Sequence, residues 1–267
     1  MTKRALCVGI NDYPVRDMDL KGCVNDAKDW AALLVDHYDF ARSDVTMLLD
    51  GHATKAAIVD NLKSLLAGAR RGDVLVFTNS SHGTYVADTD GDEARYDEAM
   101  CPWDTKDNLL TDDELRELIA GLKAGARLTV ISDSCHSGTV TRAMPGVPTP
   151  DQRRVRFLHP RRIGLPVIAD VRRNAHSQRL DKHPESAMGE LLLSGCRDDQ
   201  FSFDAKFGRR FSGAMTNTAL RLIAAAGYQL TWSELHAALV PAVRAAGYDQ
   251  EPQLEGKAAN RRRQLFT

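Results

Sequence analysis

The stretch Val74-Leu75-Val76-Phe77-Thr78-Asn79-Ser80-Ser81-His82-Gly83 decides the fold. Its four consecutive apolar residues predict a short strand buried on both faces, which is a property of parallel sheets covered by helices on either side. Leu128-Thr129-Val130-Ile131-Ser132-Asp133-Ser134-Cys135-His136-Ser137-Gly138 repeats the plan: an apolar strand, a polar exit and a glycine. Outward from these two, residues 5–10 and 45–49 read as further strands. Residues 24–35 and 55–66 read as helices, with Val24, Ala27, Ala31 and Leu34 on one face of the first. A helix over about 112–123 opens with a capping box, Thr111 with Glu114, and a late helix over 233–245 opens with another, Thr231 with Glu234. A strand over 190–196 and a helix over 213–226 complete the pattern. Strands alternating with helices predict an α/β fold: a mostly parallel sheet of about six strands flanked by helices.

Composition narrows the function classes. The chain has 267 residues, 43% hydrophobic and 27% charged, which suits one folded domain over 1–267 and excludes a fibrous or wholly disordered chain. Lys and Arg total 35 against 36 Asp and Glu, so no global charge draws it to nucleic acid or to an anionic membrane. No apolar run is long enough for a membrane helix, and Met1-Thr2-Lys3-Arg4 leads into a strand rather than a signal-peptide core. Cys7, Cys23, Cys101, Cys135 and Cys196 are odd in number and widely spaced, which disfavours a disulfide framework and fits a reducing, cytoplasmic setting.

The carboxyl ends of parallel strands form the crevice where reactive groups gather, so His82 and Cys135 are predicted to meet although 53 positions separate them. A free thiol of pKa about 8.5 is largely protonated at neutral pH. An adjacent imidazole supplies the missing base and later protonates the leaving amine. The glycines that follow, Gly83 and Gly138, leave room for a substrate backbone, and the amides near Gly83 and Cys135 are candidates to hold an oxyanion. Singly, such a cysteine reads as a small buried hydrophobe and such a histidine as a satisfied polar group; their shared context favours chemistry. His136 is the poorer base, because adjacent side chains on an extended segment face opposite ways. A zinc hydrolase is disfavoured, since no further ligand sits at suitable spacing beside His82 or Cys135.

Several ordered motifs resemble the metacaspases, caspase-like cysteine peptidases, in their compact prokaryotic form. They are Gly22-Cys23-Val24-Asn25-Asp26-Ala27, Ser80-Ser81-His82-Gly83, Tyr96-Asp97-Glu98-Ala99 with Cys101-Pro102, and Thr111-Asp112-Asp113-Glu114-Leu115. Further along come Asp133-Ser134-Cys135-His136-Ser137-Gly138, Ser194-Gly195-Cys196-Arg197-Asp198-Asp199-Gln200 and Pro252-Gln253-Leu254-Glu255-Gly256. The resemblance implies a caspase-like three-layer sandwich and a His82/Cys135 dyad acting through an acyl-enzyme. It divides the chain into a large-subunit-like part (1–140), a flexible Arg/Pro-rich linker (141–189) and a small-subunit-like part (190–267). It also implies a monomer that cuts protein or peptide substrates after Arg or Lys, with Cys23, Asp26, Ser80 and Asp133 as the pocket for the basic side chain. Ser80 and Asp133 each lie two before a dyad residue and so on its strand face, where carboxylates would draw a guanidinium and repel an acidic side chain. Ser81, where relatives usually carry glycine, keeps open a competing reading as an inactive binding or scaffolding module.

No cofactor is required for this chemistry. The resemblance carries Asp97, Asp112 and Asp113 onto calcium-ligand positions, with calcium as an activator, but Arg142 stands where many members place an aspartate. The start Asp88-Thr89-Asp90-Gly91-Asp92 fails as an EF-hand, with Glu93 and Ala99 at the positions that need glycine and the closing acid. Residues 88–114 hold eleven acids against Arg95 and Lys106, predicting an acidic loop or hairpin. Residues 141–189 hold six of the ten prolines and read as a mobile connection. Its paired basics make Arg154, Arg162 and Arg173 candidates for self-cleavage, against a plain linker or, least favoured, a polyanion contact.

Overall fold

The computed structural model describes residues 1–87, 96–135, 153–166 and 188–267. Five parallel strands form the main sheet: β1 (Lys3–Gly9), β2 (Val45–Leu49), β3 (Val74–Ser80), β7 (Arg127–Asp133) and β9 (Leu191–Ser194), in the order β2-β1-β3-β7-β9. β12 (Gln253–Glu255) closes the β9 edge antiparallel. Alternation along the strands divides the core into two layers. Ala5, Cys7, Val74, Val76 and Ile131 face α1 (Cys23–His37), α4 (Ala214–Ala225) and α5 (Trp232–Ala245), meeting Trp30, Leu34, Ile223 and Leu239. Leu6, Val8, Leu75, Phe77 and Val130 face α2 (Lys55–Leu66) and α3 (Asp112–Ala120), meeting Ile58, Leu62 and Ile119. The six-stranded, helix-flanked α/β sandwich expected from the sequence is thus observed, as are both capping boxes.

Two smaller sheets stand above the carboxyl ends of the parallel strands. One is β4 (Gly83–Ala87), β5 (Tyr96–Met100) and β6 (Leu110–Thr111), built within the acidic stretch; residues 88–95 of that stretch lie outside the described residues. The other joins β11 (Arg210–Gly213) and β10 (Phe203–Phe207) to β8 (Arg153–Val155). Within the stretch 141–189 expected to be a mobile connection, residues 153–166 instead contain β8 and a turn of 3-10 helix, Pro160–Ile163. The cause is pairing, since β8 takes up the free edge of β10 in antiparallel register, with Phe203 opposite Val155 and Ala205 opposite Arg153. Residues 141–152 and 167–187 of that stretch lie outside the described residues. No described helix is long and apolar enough to cross a membrane.

Candidate active site

β3 and β7 are parallel neighbours in register, Ser80 opposite Asp133, so His82 and Cys135 each lie two residues beyond matched strand ends. Both side chains are buried. His82 is held from three sides: its N–H donates to the Tyr13 hydroxyl, its carbonyl accepts from Cys101 N–H, and its ring lies 5.0 Å from that of Tyr13. Nε2 is 2.7 Å from the Met18 carbonyl, which can only accept, so Nε2 carries the proton. That fixes Nδ1 as the basic nitrogen, and Nδ1 is buried without a hydrogen-bond partner. Burial drives the His82 pKa down to about 4, opposed by the Met18 carbonyl and aided by the nearby charge of Arg156, so the ring is neutral at pH 7. The Ser81 hydroxyl turns aside to donate to the His82 carbonyl at 2.9 Å. Cys135 Sγ lies 3.2 Å from the Ser202 carbonyl, with the Ser202 N–H directed at the sulfur.

Beside this pair lies a buried acidic hollow. Asp26, on the first turn of α1, accepts from the Ser212 hydroxyl at 2.5 Å and from Gly213 N–H at 3.0 Å. Asp133, at the end of β7, accepts from the N–H and hydroxyl of Thr216 at 3.0 and 2.7 Å, and from the Ser202 hydroxyl. Gly213 and Thr216 are the N-cap and third residue of α4, which has no side-chain cap of its own. The two carboxylates therefore satisfy two of the orphan N–H groups of that helix and sit at its positive end, which offsets part of the cost of burying them. Cys23 is fully buried in the same region, and burial raises its pKa well above the ordinary value, so it remains a neutral thiol. Ser80 is buried at the end of β3, opposite Asp133.

The hollow is filled by Arg156, which follows directly on β8 and whose side chain is fully buried. Nη2 is 2.6 Å from Asp26 Oδ2 and 3.2 Å from Asp204 Oδ1; Nη1 is 2.9 Å from the Asp133 carbonyl and 3.4 Å from its carboxylate. The Arg156 N–H donates to the Ser202 carbonyl at 2.9 Å. Its own carbonyl oxygen accepts from Gly83 N–H at 3.0 Å and from Cys135 N–H at 3.2 Å, so the two amides singled out in the sequence converge on one oxygen. Burial and the neighbouring Asp133 raise Asp26 to about 6 against the opposing pull of Arg156.

Sequence reasoning missed Asp204, the third carboxylate, and Arg156, its occupant. A legible trace existed for both. Asp204 interrupts an apolar pair in Phe203-Asp204-Ala205, and Arg156 stands alone among Val155, Phe157 and Leu158 instead of in a basic pair. Of the self-cleavage candidates, Arg154 points away, donating to the Asp19 carbonyl at 2.7 Å, and Arg162 donates to the Arg16 carbonyl at 2.8 Å. Arg173 lies outside the described residues.

The calcium-ligand positions fit the ion poorly. Arg116 pairs with the carboxylate of Asp112 at 3.0 Å and also with that of Asp113, so both charges are already engaged on α3. Asp97 is buried on β5. Among the described residues, no group of three acidic, histidine or cysteine side chains converges as a metal site.

This sheet, with a cysteine and a histidine beyond neighbouring strand ends, has the architecture of the caspase-like cysteine peptidases. Caspase-1 from Spodoptera frugiperda matches it in fold with a TM-score of 0.53 over 95% of this chain and 86% of that one, at 12% identity. The family model of the metacaspase peptidase C14 domain matches residues 3–144. Metacaspase-1 of Scheffersomyces stipitis is 32% identical over 94% of this chain and 70% of its own length. The chain belongs to the metacaspase family and is a cysteine-type peptidase. Metacaspase-3 of Trypanosoma cruzi is 32% identical over the whole of this chain and 74% of its own length. Metacaspase-8 of Arabidopsis thaliana is 40% identical over 52% of this chain and only 38% of its own length. Protein GSU0716 from Geobacter sulfurreducens has a TM-score of 0.74 and 30% identity, covering 100% of this chain and 99% of that one.

Proposed function

We propose that this domain hydrolyses peptide bonds after Arg or Lys through Cys135 and His82, and that it cuts its own chain between Arg156 and Phe157. The observation that carries the reading is the pose of Arg156: carbonyl oxygen on the Gly83 and Cys135 amides, guanidinium among three carboxylates. Cys135 gives its proton to His82 Nδ1 and attacks the Arg156 carbonyl carbon. As the C–S bond forms, negative charge gathers on the oxygen, where two N–H groups already point. His82 passes the proton to the Phe157 nitrogen, the C–N bond breaks, and the new amino terminus leaves. Water, deprotonated by Nδ1, then opens the thioester to the Arg156 carboxylate and restores the thiol. Burial is the main cause of the low basicity of His82; release of the strand removes the smaller lowering influence of the Arg156 and Arg154 charges, together with an opposing contribution from the Arg156 backbone.

Arg is expected to outrank Lys, because its two terminal nitrogens engage separate carboxylates and a single ammonium cannot. The test is hydrolysis of matched fluorogenic peptides ending in Arg, Lys or Asp, together with mass analysis of the purified chain, for wild type and Cys135→Ala. Arg and Lys cleavage that vanishes in the variant, with wild-type fragments ending at Arg156, is expected. Activity that survives Cys135→Ala would overturn the dyad, and preference for Asp would overturn the pocket. A wild-type chain that stays intact, or is cut first after Arg154 or Arg162, would overturn the self-cleavage assignment.

A further inference from the structure

We propose that Tyr248 and the Gly247 carbonyl form a second cation site, which selects a basic residue three positions ahead of the arginine held by Asp26. The inference rests on reading residues 153–156 as a bound substrate strand. On that strand, Arg153 and Val155 share one face and Arg154 and Arg156 the other. Val155 packs against the apolar core, so the second position of this face is an apolar slot. Arg153 comes next along the same face. Its guanidinium carbon stands 4.4 Å from the centre of the Tyr248 ring, and its Nη1 donates to the Gly247 carbonyl at 2.9 Å.

Both partners suit a cation for independent reasons. The Tyr248 ring presents the negative face of its π system, and it is fixed there: it is buried and packed against Phe203 and Phe207, at 5.9 and 6.0 Å between ring centres. Gly247 lies just past the carboxyl end of α5, where carbonyls left without intrahelical partners gather negative charge. Its φ of 82° is left-handed, so glycine suits the turn that directs this carbonyl outward. The site is also registered to the hollow through the backbone: Arg153 pairs with Ala205 while Arg156 N–H bonds Ser202, so a strand docked on β10 delivers both cations together. The chemical class of substrate is thus a chain with a basic residue, any residue, an apolar residue and Arg, in that order, cut after the last.

The experiment uses the full-length enzyme and four fluorogenic peptides, X-Ala-Val-Arg, with X being Arg, Lys, Ala or Glu. Roughly tenfold higher kcat/KM for Arg over Ala is expected, with Glu lowest. Tyr248→Leu should bring the Arg-to-Ala ratio of kcat/KM down to about one, whatever its effect on the absolute rates; Tyr248→Phe, which keeps the ring, should retain the preference. Equal rates for the four peptides, or a preference that survives Tyr248→Leu, would overturn the second site and leave the Arg156 reading intact. Failure to cut any of the four in a Cys135-dependent way would overturn both.

Discussion

At Asp26 the fold accepts an unfavourable charge in order to receive a favourable one. Three carboxylates surround one guanidinium, so burial and mutual repulsion outweigh attraction and raise Asp26 to about 6 even with the hollow filled. The direction is opposite to that of an exposed ion-paired acid: the folded protein takes up the proton as pH falls through about 6, and the hollow loses a charge. The guanidinium is the main influence that holds the value down, and an empty hollow lacks it. For Arg peptides, KM is therefore expected to climb as pH drops through 6 to 7, while kcat changes less. Asp26→Asn should show a KM at least about tenfold higher that no longer depends on pH in this range. A KM unchanged between pH 5 and 8 in wild type would contradict the assignment. Gly213 controls the same hollow by size. Its φ of −63° is open to any residue, yet a Cβ there would run into the Asp133 carboxylate and the Arg156 guanidinium. Gly213→Ala is expected to cost Arg peptides about 100-fold or more in kcat/KM with the circular dichroism spectrum kept; wild-type turnover in that variant would show that the guanidinium enters elsewhere.

Among the elements, legibility followed burial periodicity. β3 announces itself as an unbroken apolar run and β7 as one broken only by Thr129, so both strands were legible, and with them the positions of His82 and Cys135 two residues past strand ends. β8 and β10 carry no such signal. β8 is Arg153-Arg154-Val155 and owes its extended shape to the edge of β10, a tertiary partner about fifty residues away that no local pattern encodes. That is why an Arg-rich stretch with prolines read as a loose connection, and why paired basics drew attention away from the lone Arg156. The same limit applies to α3. Its acidic first turn reads equally as a metal site and as a helix start, and the choice falls to Arg116, three and four residues on, which holds Asp113 and Asp112. From this pairing, kcat/KM for Arg peptides is expected to stay within about twofold when calcium is replaced by a chelator. A large loss on chelation, restored by calcium, would show that Arg116 yields its partners to the ion.

For the whole molecule, the position of the proposed cut relative to the sheet decides what cutting does. β1, β2, β3 and β7 precede Arg156, whereas β9, β10 and β12 follow it, and β7 and β9 are hydrogen-bonded neighbours in the middle of the sheet. α4 and α5, also after the cut, bury Ile223 and Leu239 in the layer that holds Trp30 and Val76 from before it. Core burial of this kind contributes about 1.5–3 kcal/mol for each large apolar side chain, so loss of one peptide bond does not separate the halves. Fragments 1–156 and 157–267 are expected to co-elute at the size of the uncut chain and to part only in denaturant. The pose of Arg156 sets the kinetics as well. The Arg156 carbonyl already rests on the Gly83 and Cys135 amides of its own chain, so the same segment of a second molecule would first have to displace it. The proposed self-cleavage is therefore expected to be unimolecular: followed by gel densitometry across a hundredfold dilution, its half-time should stay constant. Catalytic wild type should also fail to cut a Cys135→Ala chain at Arg156 at a comparable rate. A half-time that lengthens in proportion to dilution would mean that the strand is exchanged between molecules before it is cut.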